Sequence, residues 1–165
     1  MKVGDIFLIP IDAQRFAYGQ FVYGRGSISF APLVQIFKYI TSEEIERDIS
    51  RIIRSGPLFP PVCTGVGAAI RAKLWRIIGS EAIVAFVYPT FISPMYDPQV
   101  GKVYHWSIFD GKFTRVGEQL PENMKKKELM VTWSPHDLSR RITTGELPFP
   151  YKELIEKNGF TPKQR

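Results

Sequence analysis

Two short apolar runs at the start of the chain, separated by a five-residue turn, place the strongest limit on its fold. Residues 3–10 and 16–23 each read as a strand, and the turn IDAQR between them predicts that they pair as a hairpin. Alternation places apolar side chains on both faces of the second strand: Phe16, Tyr18 and Val22 on one, Phe21 and Tyr23 on the other. Both faces therefore need cover, as in a small barrel or a sheet packed between other elements.

The rest of the chain predicts more strands, interrupted by a few short helices. Thr41 and Glu44 have the spacing of a capping box for a helix over 43–54. Asp110-Gly111 predicts a type I′ turn in the hairpin VYHWSIFDGKFTRVG. The other predicted elements are strands at 27–40, 74–78 (ended by Gly79) and 128–133, and helices from Pro135 to about Ile142 and over 151–157.

This order of elements predicts an α+β fold. The chain should form a curved, mostly antiparallel β-sheet, with a barrel-like N-terminal hairpin and a few short helices. Thirteen glycines and thirteen prolines agree with many turns and short elements. We expect a single domain over residues 1–165, ending in a helical tail at 146–165.

The positive charge of the chain raises nucleic-acid binding as one candidate function. The net charge of +6 favours an acidic partner or nucleic acid, but the basic residues are scattered and only Lys125–Lys127 form a run. The aromatic stretch RFAYGQFVYGRG matches only half of an RNA-recognition strand motif, and alternating rings in a strand more often form core. A small basic β-rich nucleic-acid-binding module remains the alternative.

No residue pattern predicts catalysis, a cofactor or a metal site. His105 and His136 are far apart in sequence, and neither has ligand spacing with Cys63. Cys63 lies between Val62 and Thr64, a setting that suits a buried, inert thiol. We therefore expect a protein that is not an enzyme.

Sequence also predicts the compartment. A single cysteine permits no internal disulfide, Gly4, Asp5 and Pro10 interrupt the N-terminal apolar run, and no run of eighteen apolar residues occurs. We expect a cytoplasmic protein that makes no contact with membranes.

Four segments together carry a family resemblance. VGDIFLIPIDAQRFAYGQFV, LWRIIG, IFDGKF and LSRRITTG, spread over about residues 3–145, resemble segments of the bacterial immunity protein family numbered 26. The resemblance implies an α+β protein of a polymorphic toxin system. Such a protein binds a cognate toxin domain and neutralises it, with no catalytic residues of its own.

Toxin-contacting residues do not follow from the resemblance, so they are inferred from residue type. Tyr and Arg are frequent anchors of protein interfaces, and Arg15, Tyr18, Tyr23 and Arg25 lie together in the N-terminal segment. The competing interpretation places both tyrosines in the core, with the arginines at the ends of the turns.

The two arginines provide a test. If they face an acidic partner, the double variant Arg15→Glu and Arg25→Glu slows association, and the effect weakens as salt is added. Association rates measured at several salt concentrations check this. Unchanged affinity at low salt would contradict the placement.

Overall fold

The computed structural model describes residues 1–24, 32–42, 48–83 and 86–162. Its strands are β1 (Asp5–Pro10), β2 (Phe16–Tyr23), β3 (Leu33–Thr41), β4 (Val62–Thr64), β5 (Arg76–Ser80), β6 (Phe91–Asp97), β7 (Lys102–Phe109), β8 (Phe113–Gly117), β9 (Glu128–Leu129) and β10 (Thr132–Trp133). Its α-helices are α1 (Ile49–Arg54), α2 (Val66–Arg71), α3 (Pro135–Thr144) and α4 (Tyr151–Lys157), and a 3₁₀ turn spans Glu122–Met124.

The chain divides into two compact units. Unit 1 comprises Met1–Val87 and Val131–Gly145, and unit 2 comprises Tyr88–Met130 and Glu146–Arg165. Unit 1 contains an open sheet in the order β10-β4-β3-β2-β1-β5, and unit 2 one in the order β8-β7-β6-β9. The expectation of a single domain over residues 1–165 stays a prediction.

The predicted N-terminal hairpin is confirmed and forms the middle of the unit 1 sheet. β1 and β2 pair antiparallel, and residues 17–22 of β2 are all buried. On one face, Leu8, Tyr18 and Phe37 pack with Ile52 of α1. On the other, the ring of Phe7 stacks on Trp75 with centroids 5.2 Å apart. The two-sided apolar pattern is thus satisfied by separate cover on each face.

Helix α1 differs from the prediction at its start. Its N-cap is Asp48, whose carboxylate accepts from the Arg51 N–H, whereas Thr41 ends β3 and Glu44 lies outside the described residues. Strand β5 also runs past its predicted end, because Gly79 lies inside it. A Cβ at Gly79 would be 2.9 Å from Cδ1 of Ile49, so the glycine admits α1 rather than ending the strand.

The unit 2 hairpin is confirmed, but its turn is not type I′. β7 and β8 pair antiparallel, and the pair Phe109–Phe113 encloses three loop residues. Gly111 supplies the positive φ of that loop, at 118°. Three-residue loops commonly need one such residue, whereas a type I′ turn needs two.

The unit 2 sheet is also linked to helix α4. The indole N–H of Trp106, in β7, donates to Oδ1 of Asn158 at 2.6 Å, and Asn158 is the left-handed C-cap of α4.

Two further elements depart from expectation in informative ways. The predicted strand 128–133 is divided: β9 pairs parallel with β6, while β10 pairs parallel with β4 in the other sheet. Strand β6 carries no prediction from its sequence, which contains Pro94. β9 pairs only with Phe91 and Ile92 in the described part of β6, so Pro94 lies where that side of the strand makes no ladder bond.

Helices α3 and α4 follow their sequence signals closely, whereas α2 was not predicted. Ser134 caps α3 by accepting from the Asp137 N–H, and Gly145 ends the helix in the left-handed conformation. Helix α4 occupies the predicted residues 151–157. The fold class is confirmed: the described strands form two open, mostly antiparallel sheets that are combined with short helices. Bulges in the β1–β5 and β2–β3 pairs bend the larger sheet without closing it.

Gly19 provides a test of the packing around Phe7. A Cβ there would lie 2.6 Å from Cε2 of the fully buried Phe7 ring and 3.1 Å from Cδ1 of Ile36. Because the Phe7 ring is also stacked on Trp75 and cannot easily move, we expect Gly19→Ala to destabilise the fold by roughly 1–3 kcal/mol.

The control is Gly67→Ala in α2, where the nearest atom to a Cβ is a terminal arginine nitrogen at 3.5 Å. This change should stabilise by up to about 1 kcal/mol, as alanine does in a helix. Urea unfolding of both variants measures the difference. Equal stability of the two would contradict the packing described.

Candidate partner-binding groove

A groove of about 510 Å³ lies on the unit 1 face that α1 partly covers. β2 and β3 form its floor, α1 forms one wall, and the segment after β5 forms another. Its lining is apolar in most places, with polar groups at the floor and the rim. The lining residues are Gln20, Val22, Gln35, Phe37, Ser50, Ile53, Arg54, Pro61, Glu81, Ala82, Ile83, Phe86 and Val87.

Two glutamines stand side by side on the floor. Gln20 and Gln35 are register partners on neighbouring strands, which places their Cβ atoms about 5 Å apart. The Gln20 amide nitrogen donates to the carbonyls of Gly4 and Glu81, at 3.3 and 2.9 Å. The Gln35 nitrogen donates to the carbonyls of Ile36 and Phe59, at 2.9 and 2.8 Å.

These bonds determine which groups the floor can offer. A carbonyl oxygen can only accept, so four carbonyl partners fix the orientation of both amides. Both N–H groups of each amide are used. What remains on each side chain is the acceptor Oε1, and neither Oε1 has a partner within the described ranges.

The rim carries charges of both signs. The Arg54 guanidinium lies 3.5 Å from the Asp48 carboxylate, and both side chains are largely exposed. An exposed pair of this length contributes little to stability, so Arg54 can exchange partners at low cost. Glu81 is exposed on another wall. The most prominent apolar group is Val87, which is 81% exposed.

Of the four residues predicted to bind a partner, the three that the structure describes do not form one patch. Tyr18 is completely buried and packs against Tyr39, so a partner has no surface of Tyr18 to contact. Tyr23 is half-buried, and its ring stacks on Phe86 of the groove with centroids 5.8 Å apart. Arg15 precedes the other end of β2, roughly 26 Å away along an extended strand. Arg25 lies outside the described residues.

Arg15 already has a local partner. Its Nε donates to the Asp12 carboxylate at 2.6 Å, and the same carboxylate accepts from the backbone N–H groups of Gln14 and Arg15. The hydrogen bond from Gln14, followed by the one from the Arg15 side chain, lowers the pKa of Asp12. The guanidinium therefore stabilises the β1–β2 turn as well as being exposed.

Sequence reasoning missed the groove because its walls come from separated segments. One signal was present: Gln20 is the polar residue of the strand FAYGQFVY, and a polar side chain in a two-sided apolar strand needs hydrogen-bond partners. The partners themselves, at Gly4 and Glu81, are brought near only by the β1–β2 and β1–β5 pairings.

Other kinds of site find little support in the part of the chain that the structure describes. It contains no group of three or more His, Cys, Asp or Glu side chains placed to hold a metal ion. Cys63 is buried in β4. Asp5 is buried and accepts from the Lys2 N–H at 2.7 Å, a structural role. None of the described helices has the length and hydropathy needed to cross a bilayer.

Apolar walls with a few oriented polar groups are typical of a surface that binds a partner or a ligand. The family model described as Immunity protein 26 matches residues 2–86, just over half of the chain. The chain therefore belongs to the immunity protein 26 family, as the sequence resemblance suggested. Searches of curated proteins and of solved structures found no match.

The Asp12 turn yields a pH prediction. Arg15→Gln removes a charged donor, so the pKa of Asp12 should rise, yet stay below its usual value because the Gln14 N–H remains. The lowered pKa also means that the turn is stabilised at neutral pH and loses this support as the pH falls through that pKa. Carboxyl NMR titration of the wild type and of the variant measures the shift. An unchanged Asp12 titration would contradict the contact, and Lys112→Gln is the matched control, expected to have no effect.

Proposed function

We propose that this chain neutralises a protein toxin by binding it directly, in the cytoplasm, and that the groove is part of the contact surface. Membership of the immunity protein 26 family supports a toxin as the partner. The observation that places the contact surface at the groove is where its lining residues lie in the sequence. All of its lining residues except Val87 lie within the segment that matches the family model.

The chemistry of the groove fits a protein partner. Protein interfaces concentrate their binding energy in a few anchors that fill desolvated pockets, surrounded by a polar rim. Here an apolar hollow is flanked by Arg54 and Glu81, with Val87 exposed beside it. The net charge of +6 favours a toxin domain whose facing surface is acidic.

The residues first inferred from sequence take different places in this proposal. Tyr23 contributes at the groove through its stack on Phe86. Arg15 contributes at most as a distant electrostatic contact, since its guanidinium also supports the Asp12 turn. Arg25 is tested only by the double variant Arg15→Glu and Arg25→Glu.

Growth rescue tests the function as a whole. The C-terminal domain of the protein encoded next to this gene is expressed with and without this chain. We expect the domain to stop growth alone and this chain to restore it. A harmless neighbour, or a toxic one that this chain fails to neutralise, contradicts the proposal.

The nucleic-acid alternative has its own signature. Binding to nucleic acid would weaken steeply and linearly with the logarithm of salt concentration, because counterions are released. Titration of a mixed oligonucleotide at several salt concentrations measures it. Such a slope combined with failure to rescue growth favours the alternative.

Val87 provides the sharpest variant for the contact surface. Val87→Asp places a charge at an exposed groove position, so it should leave the fold intact but desolvate a carboxylate in the complex. We expect the dissociation constant for the toxin to rise about tenfold or more. Val100→Asp is the matched control, since Val100 is 61% exposed and does not line the groove. Calorimetric titration of both variants measures the difference, and equal affinities would remove the groove from the interface.

A further inference from the structure

We infer that the groove receives a tryptophan side chain of the toxin, whose indole N–H donates to Oε1 of Gln20. This inference rests on the proposed function and names the anchor that the groove selects. The two glutamines, the apolar walls and the charge of the chain each narrow the chemistry of the occupant.

The glutamines require a donor. Gln20 is 95% buried, with a relative exposure of 5%, yet it lines the groove. Its nitrogen is committed to two carbonyls, and the same holds for Gln35. One acceptor oxygen on each of these glutamines is left without a donor in the described ranges. An occupant that covers Oε1 of Gln20 without offering a donor would leave that acceptor desolvated, which is costly.

The surroundings disfavour a cationic donor. A lysine or arginine of the partner would lose its hydration against apolar walls, with Arg54 on the same rim. Glu81 could offset this only at the exposed rim, where attraction between charges is screened. The net charge of +6 also repels a basic partner. A neutral donor on an apolar body meets all these conditions.

An indole fits better than a phenol. The indole N–H is a donor and nothing else, whereas a tyrosine hydroxyl also carries an acceptor that the floor has no N–H to satisfy. Phe37 and Phe86 line the groove and offer ring contacts to a flat aromatic body. A groove of about 510 Å³ has room for such a side chain together with neighbouring backbone. Tryptophan is also among the most frequent anchors of protein interfaces.

A small-molecule experiment tests the inference without the toxin. N-acetyl-tryptophanamide is titrated into the ¹⁵N-labelled full chain and followed by NMR. We expect millimolar or tighter binding, with shifts at the side-chain amides of Gln20 and Gln35 and at the backbone of Phe86 and Val87. The matched control ligand is the 1-methyl-indole derivative, which keeps the shape but lacks the N–H. It should bind about three- to tenfold more weakly, as expected for the loss of one hydrogen bond.

Each outcome decides the inference. Localised shifts that depend on the N–H support it. Equal binding of the methylated ligand, shifts confined to other residues, or no shift at about 10 mM ligand, where millimolar binding would be nearly saturated, overturn it. Growth rescue reports separately on the proposed function, so rescue combined with a silent titration would leave toxin neutralisation standing and remove the indole site. Val87→Asp should weaken the binding of N-acetyl-tryptophanamide, whereas Val100→Asp should leave that binding unchanged.

Discussion

The contact of Phe7 with Gly19 determines how the hairpin can be covered. Phe7 and Gly19 are register partners, and the missing side chain at Gly19 leaves the space that the Phe7 ring fills. Trp75 then stacks on the same ring and closes that face. With Trp75 on this face, α1 packs on the opposite face, against Leu8, Tyr18 and Phe37. The placement of α1 in turn defines the groove.

The groove exists because α1 is short. It has six residues, so it spans only about 9 Å of a face whose strands are roughly three times as long. Beyond it, the same face continues with Gln20, Gln35 and Val22. Each glutamine stays stable in that position because backbone carbonyls take its N–H groups. These hydrogen bonds use the N–H groups of both amides, so only their acceptor oxygens remain to bind an occupant of the groove.

Local sequence signals predicted local structure well. The bounds of β2 and α4, the hairpin around Gly111, and the capping of α3 by Ser134 all follow from patterns within a few residues. Two of the failures, at Gly79 and in residues 128–133, depend on a partner distant in sequence, whereas the start of α1 and the turn at Gly111 differ in local detail. Gly79 reads as a strand end until α1 is seen to pack on it. Residues 128–133 read as one strand, since alternation indicates strand character but not which sheet receives it.

The family can be recognised from sequence patterns, but the candidate site depends on contacts between distant residues. Residue order and periodicity are enough to predict the α+β class and the two-sided N-terminal hairpin, and residue order carries the family resemblance. Three features need the folded chain: Tyr18 lies in the core, Arg15 and Tyr23 lie at opposite ends of β2, and a groove lies near Tyr23. The physical reason is that a strand's pattern shows which side chains share a face. Burial and hydrogen bonding depend on what covers that face, and here the cover comes from α1 and from the segment after β5.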